Sequence, residues 1–327
     1  MKTIAYSSPF VPAEWIAAHG LRPHWLRLPA ASDGPLLAVT RGICPYTGAI
    51  VDAALSGIDA SAIVLTTTCD QMRYAAAVIK SRGSCPVFLM NIPSTWQTAH
   101  VRKLYLDELQ RLGRFMVQLG GKSPDNVDLA NVMLAYDRAR FAVRSARGRL
   151  SARRFAEAMA EVRGSIEAIS HPDNSATQAN GIPLAVLGGP MLDSDYALYD
   201  VVEQAGGRVV LDATEGGERT MPRPFDPAKV ASNPVQELAD AYFDSIPDAF
   251  RRPNSGLYEW LGRELSARQA RGIIFRRYVW CDLWHAELQR LKQWSPVPVM
   301  EIDVGSDDTI APNRVQGRIE AFMEMLR

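Results

Sequence analysis

The chain has 327 residues, 47% of them apolar, which is enough for a substantial core and more than one ordinary domain of roughly 150 residues needs. Lys plus Arg equals Asp plus Glu at 36 each, so no global field draws it to nucleic acid or an anionic membrane, and a small molecule or a protein is the expected partner. No apolar run approaches the roughly 18 residues of a membrane span, and four widely spaced cysteines without a leader-like start argue for a cytoplasmic protein whose thiols serve packing, ligation or redox chemistry.

In chain order, a short strand over 3–7 leads to a helix entered after Pro12 and closed near Gly20, then a strand over 24–28. A helix follows Cys44-Pro45, then a buried strand over 62–67, a helix over 70–80 and a buried strand over 86–91. Short Val/Ile/Leu-rich strands separated by helices of about three turns imply a parallel sheet covered on both faces. Strand signals stop from about 98 to 170, where helical periodicity with charge-rich faces runs over 101–119, 125–147 and 151–169. The alternation resumes with strands over 183–187, 208–211, 272–275 and 297–302, and helices over 194–204, 234–246, 255–268 and 313–326. The expected fold is α/β, with two doubly wound, mainly parallel-sheet lobes at 1–97 and 171–327 joined by a helical connector at 98–170.

Three cysteines share one local setting. Cys69 follows the strand over 62–67 and opens a helix, Cys281 repeats that placement in the second lobe, and Cys44 precedes Pro45, a residue favoured at the first helical position. Open α/β sheets place ligand sites outside the carboxyl ends of their strands, and helix N-termini add partial positive charge there. Both effects favour thiolate, the form that binds metals and clusters. Cys85 precedes Pro86 at the amino end of its strand, the opposite edge, and is not expected to be a ligand. A single cysteine is more often inert packing. Zinc sites normally show close Cys-x2–4-Cys pairs, absent here, whereas three thiolates with one open position suit a [4Fe–4S] cluster.

Other candidates carry competing readings. The Gly188-Gly189-Pro190 turn could present backbone N–H groups to a phosphate of a bound cofactor, or be an ordinary strand-to-helix turn. Glu215 and Glu218 sit on a Gly-rich loop after a strand, where an acid/base carboxylate or a solvated loop fits equally. The arginines between Arg138 and Arg154 could bind an anion or form a solvated helix face. His285, four residues after Cys281, could approach the same site or lie on the surface. No G-x-x-x-x-G-K-[ST] loop occurs, so ATP hydrolysis is expected to be another protein's task.

Several of these segments resemble the catalytic-subunit family of 2-hydroxyacyl-CoA dehydratases and benzoyl-CoA reductases. They are Pro12-Ala-Glu-Trp, Cys44-Pro-Tyr, Thr68-Cys-Asp-Gln-Met-Arg, Leu187-Gly-Gly-Pro-Met, Gly207-Arg-Val-Val-Leu-Asp, Cys281-Asp and Arg318-Ile-Glu-Ala-Phe-Met-Glu-Met-Leu, and together they cover nearly the whole chain. The resemblance implies that Cys44, Cys69 and Cys281 hold a [4Fe–4S] cluster and that the chain pairs with a homologous subunit. It also implies that an ATP-dependent activator delivers electrons for radical chemistry on an acyl-CoA, as a lyase or as a ring reductase. Two other classes stay open on the residues alone: a scaffold subunit that carries a cluster without substrate, and a cluster-free bilobal binding protein.

Overall fold

A computed structural model describes residues 1–29, 42–166, 181–305 and 312–327. The first lobe begins with β1 (Thr3–Tyr6), α1 (Ala13–Ala18), β2 (Arg22–Trp25), α2 (Pro45–Leu55), β3 (Ala62–Thr66), α3 (Asp70–Arg82) and β4 (Val87–Met90). Three helices follow: α4 (Ala99–Gln118), α5 (Asn126–Ser145) and α6 (Ala152–Gly164). The second lobe carries β5 (Ile182–Gly188), α7 (Ala197–Gln204), β6 (Gly207–Ala213), α8 (Pro227–Ser232), α9 (Pro234–Ala239), α10 (Ser255–Ala267), β7 (Gly272–Tyr278), α11 (Asp282–Trp294), β8 (Val299–Val304) and α12 (Pro312–Leu326).

Each lobe is a four-stranded, all-parallel sheet, and the two share one topology: β2-β1-β3-β4 and β6-β5-β7-β8. The duplication is one of strand order, not of residues. Side-chain alternation along the strands divides the cores. Ile4, Tyr6, Ala62 and Val64 face one side of the first sheet, while Ala5, Ile63 and Leu65 face α2 and α3 on the other. In the second sheet Leu184, Val186 and Ile274 face α7 and α12, and Ala185, Leu187, Ile273 and Phe275 face α10 and α11. Both lobes are therefore doubly wound, as the alternation of short apolar strands and helices predicts.

The long helices after β4 pack onto the first sheet. Tyr105, Leu109 and Leu112 of α4 and Leu129 and Met133 of α5 join Ile4, Tyr6 and Phe88 in one core. Phe225, Leu238, Phe243 and Phe250 join it from the other half of the chain, so residues 225–250 cross back to the first lobe. Local boundaries differ from expectation for physical reasons. β2 starts at Arg22, because Thr3 of β1 pairs with that residue. α6 stops at Gly164, where an added Cβ would stand 3.1 Å from the Trp25 nitrogen; the expected continuation to 167–169 lies outside the described residues. The helix expected over 234–246 is α9 followed by a single π-helical turn at Asp240–Asp244.

Candidate active site

In open parallel sheets a ligand sits beyond the carboxyl ends of the strands, where the chain order reverses direction. Here both sheets reverse at their second strand, and one cavity of about 310 Å³ lies against both reversal points. From the first lobe it receives Ser7 to Phe10 after β1 and Thr66 to Arg73 after β3. From the second it receives Pro190 after β5, Glu215 after β6 and Trp280 to Trp284 after β7.

Cys44, Cys69 and Cys281 all line this cavity, and each is the N-cap residue of a helix: α2, α3 and α11. Cys69 lies three residues past the end of β3, and Cys281 three past the end of β7, so two lobes deliver thiols by the same device. None of the three side chains makes a close capping hydrogen bond, although backbone N–H groups of its own first turn lie near each sulfur. Trp280, just before Cys281, has a left-handed backbone with φ of 71° and is 56% exposed, a conformation that costs a non-glycine residue energy and that clusters at functional sites.

Burial raises all three thiols, Cys69 to about 11 and Cys281 to about 12. Backbone N–H groups pull the other way: those of Thr47 and Tyr46 at Cys44, Met72 and Gln71 at Cys69, and Trp284 at Cys281. The sulfurs also repel one another, since Cys44 acts on Cys69 and both act on Cys281. Arg276 is the cation acting on Cys44. The three thiols thus share one cavity and influence one another's titration, in a site that favours protonated thiols until positive charge arrives from outside.

The profile of the 2-hydroxyglutaryl-CoA dehydratase D-component family matches residues 9–326. The chain belongs to this family. No curated protein matches it. The thiol arrangement fits the cluster that the resemblance implies for such a D-component. Its donor set is all sulfur, each sulfur lies in reach of backbone N–H groups, and an added cationic centre would reverse the burial penalty. Among the described residues no three Cys, His, Asp or Glu side chains stand close enough for a single metal ion. Thiolates on three corners of a cubane stand wider, about 6–7 Å apart.

Cys85 lies elsewhere in the D-component fold. Its thiol points to the carbonyls of Ala60 and Pro86, at the amino ends of β3 and β4. Glu215 lines the cavity, but Glu218 does not: its carboxylate pairs with Arg147 and with Arg268 at 3.0 Å, and accepts from the Asp212 nitrogen at 3.1 Å. A 3-10 turn at Glu218–Thr220 directs it to these arginines along the edge strand β6, so it is no acid/base candidate for the cavity. Gly188 and Gly189 are buried and do not line the cavity either; an added Cβ would overlap the Arg276 carbonyl oxygen at Gly188 and stand 3.0 Å from the Trp284 ring at Gly189. Close packing, not phosphate binding, explains both.

Among the described residues, four of the seven arginines of the stretch form ion pairs: Arg140 with Glu14 at 2.6 Å, Arg147 with Glu218, Arg153 with Asp200 at 2.7 Å and Arg154 with Glu161 at 2.7 Å. His285 is exposed, and its Nδ1 accepts from Arg277 at 2.6 Å. Sequence reasoning missed Asp248, which lines the cavity, and its partner Arg219. Arg219 is fully buried, binds Asp248 at 2.6 Å and the Ala213 carbonyl at 2.8 Å, and lies over the Trp284 ring. No local pattern marks Asp248, because the 225–250 crossing brings it to the site.

Proposed function

We propose that this chain is the iron–sulfur subunit of a 2-hydroxyacyl-CoA dehydratase, with Cys44, Cys69 and Cys281 holding a [4Fe–4S] cluster and the adjoining cavity receiving the acyl end of a CoA thioester. What supports the reading is the convergence of three N-cap thiols, from both lobes, on the cavity at both sheet reversal points. When bound, the cluster would supply one-electron transfer to the thioester carbonyl. The chain's own residues hold and shield. Cys44 and Cys69 come from the first lobe and Cys281 from the second, and Phe10, Pro190 and Trp284 give the cavity apolar walls that limit water.

One-electron reduction of a thioester needs a strong reductant, and the sequence carries no P-loop with which to couple ATP. A homologous second subunit and an ATP-hydrolysing activator complete the proposed system. The test is anaerobic turnover of a 2-hydroxyacyl-CoA by this chain, a homologous partner and such an activator. Turnover that requires all three and is abolished by Cys69→Ala supports the assignment. Full turnover by the isolated chain, or unchanged turnover with Cys69→Ala, overturns it.

A further inference from the structure

Four carboxyl side chains line the cavity: Asp70, Glu215, Asp248 and Asp282. Asp70 and Asp282 stand exposed at the first positions of α3 and α11, and Asp248 is bound by Arg219 at 2.6 Å and by the Phe250 nitrogen at 2.8 Å. Glu215 differs from all of them. It is largely buried, and among the described residues its carboxyl has neither a hydrogen bond nor an ion pair.

Its backbone, by contrast, is fixed on both sides. The Glu215 nitrogen donates to the Gly189 carbonyl at 3.2 Å, and its carbonyl accepts from Thr220 Oγ1 at 2.6 Å. Thr220 is fully buried and accepts in turn from Arg163 Nη2 at 2.6 Å. The same guanidinium binds the Gly217 carbonyl at 2.8 Å and lies over Trp25 of the first lobe. A buried arginine bound to carbonyls clamps this loop, and the Glu215 carboxyl is left at the cavity. The fold thus holds a partner-free carboxyl at the cavity wall, where an entering ligand can reach it.

We propose that Glu215 is a specificity-determining residue that hydrogen-bonds the hydroxyl of an acyl group entering the cavity, and so selects a hydroxylated thioester over its saturated counterpart. The inference deepens the proposed function and rests on it for the thioester. Burial, then the negative charge of Asp248, raise Glu215 above the usual carboxylate range against the opposing Arg219 and Arg163. Thr220 and Arg163 act through it as positioning residues.

Calorimetric titration of the full chain with 2-hydroxybutyryl-CoA and butyryl-CoA tests this, run on cluster-reconstituted and iron-free protein alike. The wild type is expected to prefer the hydroxylated thioester by about three- to tenfold, the worth of one well-placed hydrogen bond. Glu215→Ala removes the preference, while Glu215→Gln, whose amide can also hydrogen-bond the hydroxyl, keeps most of it. Thr220→Val reduces the preference and Thr220→Ser restores it, without change in iron content. A preference of onefold in the wild type, or one unchanged in Glu215→Ala, overturns the role of Glu215. Loss of iron binding with the preference intact overturns the proposed cluster instead and leaves this inference standing.

Discussion

Glu14 of α1 belongs to the Pro12-Ala-Glu-Trp segment, and the structure gives it a physical task. Its Oε1 meets Arg140 Nη1 of α5 at 2.6 Å, and its Oε2 accepts from the Tyr242 hydroxyl at 2.7 Å. Glu14 is 0% and Arg140 3% exposed, so neither charge has recourse to water. Burial would lower the Arg140 pKa, yet the charge of Glu14, with Tyr242 and Asp137, holds it above its usual value. Glu14→Gln keeps the shape and an acceptor for Tyr242 but removes the nearest counter-ion, with Asp137 left at 3.8 Å. Breaking a buried pair from one side costs about 3–5 kcal/mol. At this chain length that lowers the melting temperature by roughly 4–7 °C. Urea unfolding followed by far-ultraviolet circular dichroism gives the free energy. The double variant Glu14→Gln/Arg140→Met should lose less than the two single losses combined, because it leaves no unpaired charge. The consequence reaches the site, since residues 7–10 line the cavity immediately before α1. A loss below about 1 kcal/mol for Glu14→Gln would refute the argument that this pair anchors α1.

Three further outcomes follow from the geometry. Gly188→Ala forces a Cβ into the Arg276 carbonyl across the β5–β7 ladder and should cost more than about 3 kcal/mol, read as a melting shift; a shift under about 2 °C would contradict the packing account. Glu218→Gln leaves Arg147 and Arg268 without their shared carboxylate and should cost about 2–3 kcal/mol, while iron content after reconstitution stays at the wild-type level; parallel loss of iron would return Glu218 to the site. His19 is buried, its Nδ1–H donates to the Trp15 carbonyl at 2.7 Å, and burial lowers its pKa below 6.5. The unfolded chain then binds the proton more readily, so stability from neutral His19 is present above about pH 6.5 and is lost as pH falls from there towards the folded value. His19→Gln should therefore flatten the fall in melting temperature between about pH 7 and pH 5, and an unchanged slope would remove His19 from that fall.

The strands that build both sheets are legible because each is a short run of apolar residues with turn residues on either side, and parallel strands buried on two faces need that composition. The three thiols are legible for a related reason. Pro45 marks a helix start after Cys44, and the apolar runs before Cys69 and Cys281 put both at a strand-to-helix junction. Periodicity finds α4, α5 and α6 as helices but says nothing of what they cover, which the contacts of Tyr105, Leu109 and Leu129 with the first sheet decide. Glu215 and Glu218 look alike in sequence, three residues apart on one Gly-rich loop. A 3-10 turn beginning at Glu218 separates them, sending one into the cavity and the other to Arg147 and Arg268. Asp248 was hidden by distance, since its place depends on the 225–250 segment returning to the first lobe and on Arg219, 29 positions earlier, binding it. The Gly188-Gly189 pair fits either a ligand turn or an ordinary turn in sequence, and neighbours decide it: the Arg276 backbone at Gly188 and the Trp284 ring at Gly189.

The central claim concerns the three N-cap thiols, and iron and acid-labile sulfide counted per chain after anaerobic reconstitution address it most directly. The account predicts about four irons and four sulfides in the wild type and in Cys85→Ala, with the broad visible absorption of a cubane. It predicts near-complete loss in Cys44→Ala, Cys69→Ala and Cys281→Ala, each with the far-ultraviolet circular dichroism of the wild type. A wild-type chain that takes up no iron, or any of these three variants retaining the full count, would contradict it.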